Sequence, residues 1–119
     1  MTTAEEVEQF LRDFHQKLRV FEILFRDERT KNLQTLADLD ISRVMRIKIV
    51  AQLEKQDYSE GPLDDNFYGL ASMWVFGKVV KQQEVYIKIS MGQPGGSVIC
   101  ISFHIAEKPM RYPFKSTTT

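Results

Sequence analysis

Tyr86, Lys88 and His104 stand in the stretch VYIKISMGQPGGSVICISFHIAEKP (residues 85–109) and bring together a phenol, an ammonium and an imidazole. That set suits scission of RNA by its own 2′-hydroxyl. The reaction needs a proton taken from the attacking oxygen, charge stabilised at phosphorus and a proton given to the 5′-oxygen. Lysines hold the phosphate, an imidazole titrates near pH 6.5, about the working range, and a phenol donates a hydrogen bond. Lys78 in MWVFGKVV is a further phosphate ligand of the same type. Trp74, Phe76 and Tyr86 offer ring faces for unpaired bases, typically about 1–3 kcal/mol per stacked base. The competing reading of these residues is a structural polar network, a protein-binding face, or the solvated side of an antiparallel sheet.

Strand periodicity must gather these groups. Val85, Ile87 and Ile89 alternate with Tyr86, Lys88 and Ser90, and Ile99, Ile101, Phe103 and Ile105 alternate with Cys100, Ser102 and His104. The pattern predicts a hairpin around a glycine-rich turn, with one face for a core and the other carrying Tyr86, Lys88, Cys100 and His104. Neighbouring strands lie about 4.8 Å apart, so same-face side chains on adjacent strands reach one another. On the preceding strand, Trp74, Phe76 and Lys78 share one side, and Met73, Val75 and Val79 the other. Lys78 joins Tyr86 only if the turn KQQE contributes an odd number of loop residues, because a one-residue slip inverts a strand.

Composition narrows the function. The chain has 119 residues, enough for one domain with a core of its own. Its formal charge is zero, which argues against a broad basic surface, yet from Trp74 onward six cations (Lys78, Lys81, Lys88, Lys108, Arg111, Lys115) face two acids (Glu84, Glu107). No apolar run approaches the roughly 20 residues of a membrane span. The acidic start MTTAEEVEQF has no cationic segment followed by an apolar one, so the expected location is cytoplasmic. Cys100 is the single cysteine, which excludes an internal disulfide; on a strand it reads as a packing residue before it reads as a nucleophile. His15 and His104 have no ligand spacing between them, so no metal or other cofactor is expected. His15 itself reads as a rim residue beside an apolar helical stripe.

The remaining elements follow from pattern. Thr3-Ala4-Glu5-Glu6 is a capping box, followed by Val7, Phe10, Leu11, Phe14 and Leu18 at helical spacing. Phe21, Ile23 and Phe25 alternate as a first strand. Thr30 to Leu39 reads as a short helix with Leu33, Leu36 and Leu39 inward. Ser42 caps the next helix, which carries Val44, Met45, Ile47, Val50 and Leu53, and the two helices are expected to pack as a pair. Arg26, Arg29 and Lys31 in FRDERTKN read as a solvated basic turn, with anion binding at the helix start as the alternative. Residues 57–72 lack a sustained period and contain Gly-Pro, which predicts a long loop, with Tyr58 as an anchor within it. Gly77 marks a bulge or a close approach. The expected architecture is one α+β domain over residues 1–119, ordered α-β-α-α-β-β-β, with an antiparallel sheet and helices packed on one face. Its capping helix spans residues 3–18 and residues 116–119 form a frayed tail.

Taken in order, DYSEGP, WVFGK, EVYIKI and ICISFHIAEKPMRYPFK resemble the MqsR-like toxins of bacterial type II toxin–antitoxin systems, within the RelE-like superfamily. The likeness runs from about Phe25 onward. It implies a RelE-like fold and an mRNA endonuclease that arrests translation, acting on mRNA alone or at the ribosome. It also implies neutralisation by a cognate antitoxin carrying a helix-turn-helix domain. The family's V-Y-[IL]-K-I tyrosine corresponds to Tyr86, followed by Lys88. The catalytic lysine of its S-F-K ending corresponds to His104, which keeps a proton-donating group. The lysine that follows the family's aspartate-aromatic pair has no counterpart after Asp57-Tyr58, where Ser59 and Glu60 stand. The family's glutamine near the tryptophan is not matched at Val75. Lys78 then supplies phosphate binding, and Arg111 and Lys115 are expected to track the RNA backbone. A non-catalytic RNA- or ribosome-binding module and a protein-interaction domain are the alternatives in other functional classes.

Overall fold

Thr3 opens the first helix, α1 (Ala4–Leu18), by a reciprocal cap. The Glu6 amide donates to Thr3 Oγ1 at 3.2 Å, and the Thr3 amide donates to Glu6 Oε1 at 3.0 Å. Val7, Phe10, Leu11 and Phe14 recur on one side of α1 and are buried, as their spacing requires. The computed structural model describes residues 1–64 and 71–115. After α1 come β1 (Ile23–Phe25), α2 (Thr30–Leu39), α3 (Arg43–Ala51) and a helical turn at Lys55–Asp57. Four longer strands complete the chain: β2 (Tyr58–Leu63), β3 (Met73–Val80), β4 (Gln83–Ser90) and β5 (Val98–Ile105). The architecture is α+β, with a sheet ordered β1-β5-β4-β3-β2. Among the described residues no helix is long and apolar enough to cross a membrane.

The sheet is mixed, which corrects the antiparallel expectation. β1 runs parallel to β5, pairing Ile23 with Val98 and Phe25 with Cys100, whereas the other three pairings are antiparallel. The early strand reaches β5 through two helices and three further strands, so no tight hairpin forces it to run the other way. A second correction concerns residues 57–72. Tyr58–Leu63 is an edge strand with an irregular register, and its Pro62 is tolerated because an edge position need not donate on its outer side. The part of that expected loop over residues 65–70 lies outside the described residues, as does the expected frayed tail.

One core cluster joins all three helices to one side of the sheet. It contains Val7, Phe10 and Phe14 of α1, Leu39 of α2 and Ile49 and Val50 of α3, packed with Phe76, Val85, Ile87, Cys100 and Phe103. Ser42 caps α3 as its type suggests, accepting from the Met45 amide at 3.0 Å. The expected apolar faces of α2 and α3 hold in part: Leu39, Val50 and Leu53 are buried and Leu36 packs against the core, but the other apolar residues of the expected stripes are not enclosed. Leu33 of α2 and Val44, Met45 and Ile47 of α3 are exposed, while Asn32, Thr35 and Arg46 point inward. Arg46 is held by a two-pronged ion pair to Asp27, at 2.8 and 3.0 Å, with its guanidinium 3.7 Å from the Phe25 ring centre. Asn32 replaces a missing strand. Where the three-residue β1 ends, its amide nitrogen donates to the Ile101 carbonyl and its amide oxygen accepts from the Phe103 amide, both at 3.0 Å. The edge of β5 stays satisfied beyond its partner.

Two local features decide which side chains face away from the helices. The β3–β4 turn is Lys81–Gln82, two residues with φ of 48° and 72°, a left-handed pair whose twist suits a two-residue hairpin. An even loop sets Lys78 opposite Val85 and Gly77 opposite Tyr86. Farther along, Lys88 pairs with Ser102 but Ile89 pairs with Cys100, so Ile101 is an extra residue in β5. That bulge inverts the alternation. Ser102 and His104 stay with Tyr86 and Lys88, whereas Cys100 turns to the core.

Candidate functional site

The polar side of β4 and β5 forms the floor of a cleft of about 560 Å³. Tyr86 and His104 are cross-strand partners, and their rings stack with centres 5.1 Å apart and planes 14° from parallel. The Lys88 ammonium lies 5.8 Å from the centre of the Tyr86 ring, with Ser102 as the partner of Lys88 on β5. His104 Nδ1 is 2.9 Å from the Ile105 carbonyl oxygen, which only accepts, so Nδ1–H donates there. Nε2 is left to exchange a proton. Burial raises the Tyr86 phenol above its ordinary range, and the Glu60 charge adds to the rise, with Arg29 opposing it. The phenol therefore stays protonated at neutral pH and serves as a donor.

Three segments make the walls. Arg29 and Lys31, at the start of α2, form one side; the Arg29 guanidinium donates to the Ile101 carbonyl and the Ser102 hydroxyl, each at 3.3 Å. Ser59 and Glu60 of β2 form another. The chain after β5 closes the third with Glu107, Lys108 and Arg111. Glu107 is bound to Lys31 at 2.8 Å, and that contact lowers its carboxyl below the usual range. Five Lys and Arg side chains line the cleft against two carboxylates, an excess of three cations on a chain with no net charge. A concave surface of one sign concentrates anions.

The segment after β5 is strapped over the sheet by Glu84. Glu84 accepts from the Met110 amide at 3.1 Å and from the Tyr112 hydroxyl at 2.6 Å. Gly77 makes room for the strap, because a Cβ there would stand 2.2 Å from the Tyr112 hydroxyl oxygen. The close approach anticipated at Gly77 is thus the bed on which the strap lies, and it brings Arg111 to the cleft.

The structure gathers His104, Tyr86, Lys88 and Arg111 and separates the other candidates from them. Trp74, Phe76 and Lys78 are corrected as members of this face: the two-residue turn places them on the helix side. Phe76 is fully buried, Trp74 stacks on Phe10 at 4.6 Å, and Lys78 binds Asp57 at 2.8 Å. Lys115 is not among the cleft residues; its ammonium lies 5.3 Å from the Tyr112 ring centre. Cys100 leaves the expected polar face but is the packing residue that its place on a strand suggests. It is fully buried, and burial pushes its thiol up to about 12, which removes it as a nucleophile. Arg29, Lys31, Glu60 and Lys108 line the cleft without having been selected as site residues. FRDERTKN carried the signal for the first two, as a basic helix start. No protein-family model, curated protein or solved structure matches the chain.

Among the described residues no three His, Cys, Asp or Glu side chains are grouped to hold a metal ion. What the cleft offers is an imidazole with one ring nitrogen committed, a protonated phenol beside it and guanidinium and ammonium groups on its walls. Those are the parts for holding a phosphodiester and moving protons at its oxygens.

Proposed function

We propose that the cleft is the active site of a metal-independent endoribonuclease of the MqsR/RelE-like kind. In this reading the protein is a cytoplasmic toxin that cleaves mRNA, free or at the ribosome, arrests translation and is neutralised by a cognate helix-turn-helix antitoxin. One observation carries the proposal: the Tyr86–His104 stack lies in a cleft whose walls carry Arg29, Lys31, Lys88, Lys108 and Arg111. Cations hold the bridging phosphate and stabilise the charge that grows on it, which is the largest demand of phosphoryl chemistry. His104 Nε2 and the Tyr86 hydroxyl act at the oxygens. His104 occupies the position where the resembled family carries lysine.

The test is incubation of the purified protein with an mRNA transcript in excess chelator. Wild type is expected to cleave it. His104→Ala is expected to lose about 100-fold or more, the usual contribution of a general acid or base, and Tyr86→Phe somewhat less. Unchanged cleavage in both variants would remove the assignment. Saturable RNA binding without scission by wild type would leave a binding module in place of an enzyme.

A further inference from the structure

Trp74 is the only tryptophan of the chain, and the sheet turns it away from the cleft toward α1. Phe10 stacks on its indole with ring centres 4.6 Å apart and planes 17° from parallel, and Tyr58 stands edge-on at 6.1 Å. What those two rings leave uncovered lines a groove of about 310 Å³, with Glu6, Gln9 and Asp13 of α1 along it. Glu6 and Asp13 are seven positions apart, which at a rise of about 1.5 Å per residue sets them about 10 Å apart along the helix, with Phe10 between them. The groove therefore has an aromatic floor flanked by two carboxylates. Among the described residues no cation lines it.

Both carboxylates are exposed, and neither has an ion pair among the described residues. Glu6 Oε1 accepts from the Thr3 amide and hydroxyl within the helix cap, and Asp13 Oδ1 accepts from the Gln9 side-chain amide at 3.0 Å. Those bonds orient the two side chains and neutralise neither. The nearby cations are engaged elsewhere: Arg12 donates to the Gln9 side-chain carbonyl at 2.9 Å, and Lys55 pairs with Glu8 at 3.8 Å.

We propose that this groove docks an arginine-bearing extended segment of a basic partner protein, a binding function separate from the RNA cleft. The face of an indole attracts cations more strongly than that of any other aromatic side chain. Arginine suits the groove better than lysine, because its flat guanidinium lies on a ring while donating in its own plane to a carboxylate. Alternate side chains of an extended chain stand about 7 Å apart on one face. An Arg-x-Arg sequence thus sets one guanidinium on Trp74 and the next at Glu6 or Asp13. The carboxylates stand too far apart to grip one small cation together, and they repel phosphates and anionic lipid headgroups. The cleft and the groove lie on opposite sides of the sheet, so occupation of one leaves the other open.

Trp74 reports on the site directly. The experiment titrates the full chain with the peptide acetyl-GRSRG-amide and follows tryptophan fluorescence, with the same peptide carrying citrulline in place of arginine as the uncharged control. Glu6→Gln, Asp13→Asn and the double variant are measured beside wild type. Each substitution removes one charge and keeps a side-chain oxygen for the existing hydrogen bond, so the emission without peptide is expected to be unchanged. Wild type is expected to show a saturable change that the citrulline peptide does not produce. Each single variant is expected to bind about threefold more weakly or worse, and the double variant by about the product of the two. No fluorescence change up to about 10 mM arginine peptide would overturn the proposal. A citrulline peptide that binds as well as the arginine one would also overturn it, leaving an apolar contact only. Undiminished binding by the double variant would overturn it by placing the peptide elsewhere.

Discussion

His104 and Cys100 lie four positions apart in one strand, and the chain treats them oppositely. The imidazole opens on the cleft with its Nδ1 fixed on the Ile105 carbonyl, and the thiol is enclosed by the core with its pKa pushed up to about 12. Iodoacetamide is accordingly expected to leave Cys100 unmodified in the native protein at pH 8 and to alkylate it after denaturation, read by mass spectrometry; rapid native labelling would place the thiol at the surface. His104 admits a sharper substitution. Lysine keeps a proton donor at that position, and alanine does not. His104→Lys is therefore expected to retain a measurable fraction of the cleavage that His104→Ala loses, read on an mRNA transcript in chelator. Equal loss in both variants would mean that a proton donor at this position is not enough.

Elements explain which parts of this arrangement were legible in sequence. The α1 cap, its apolar stripe and the alternation of β4 were readable because each depends on residues a few positions apart. The face of β3 depended on the length of one turn, and the left-handed pair Lys81–Gln82 made it two residues, sending Trp74, Phe76 and Lys78 to the helices. The face of Cys100 depended on a bulge at Ile101, which alternation in the sequence conceals. α2 kept its expected span and α3 its Ser42 cap, but part of each inward face was misread for a common reason: buried Asn32 and Arg46 answer to distant partners, the edge of β5 and Asp27. Those contacts span long separations and leave no local period. Asn32→Ala is expected to lower unfolding free energy by about 1–3 kcal/mol in urea melts, the cost of leaving the Phe103 amide unpaired; a neutral result would mean that water replaces it. At Gly77 the added methyl of Gly77→Ala meets the Tyr112 hydroxyl. Lifting the strap is expected to weaken RNA retention through Arg111 and to leave the uncleaved protein folded, as read by circular dichroism. Normal retention would show that the strap does not position the cleft.

Across the whole molecule, the sheet divides two environments. One side buries the aromatic core under the helices; the other carries an excess of three cations into a cleft, though the chain as a whole is uncharged. RNA binding should therefore weaken with salt, with log affinity falling by about 0.7 per released phosphate contact on single strands, and Arg111→Ala should reduce that slope by about one contact. The outer side of α3 exposes Val44, Met45 and Ile47 and is the contrasting surface, apolar where the cleft is cationic. Which surface receives the nucleic acid is the central matter. The direct measurement is the amide and side-chain NMR spectrum of the isotope-labelled protein titrated with an uncleavable 2′-O-methyl RNA. The account predicts that the largest shifts fall on Arg29, Tyr86, Lys88, His104 and Arg111, with Val44, Met45 and Ile47 unmoved. Shifts confined to α3, with the signals of Tyr86 and His104 unchanged at saturation, would contradict it.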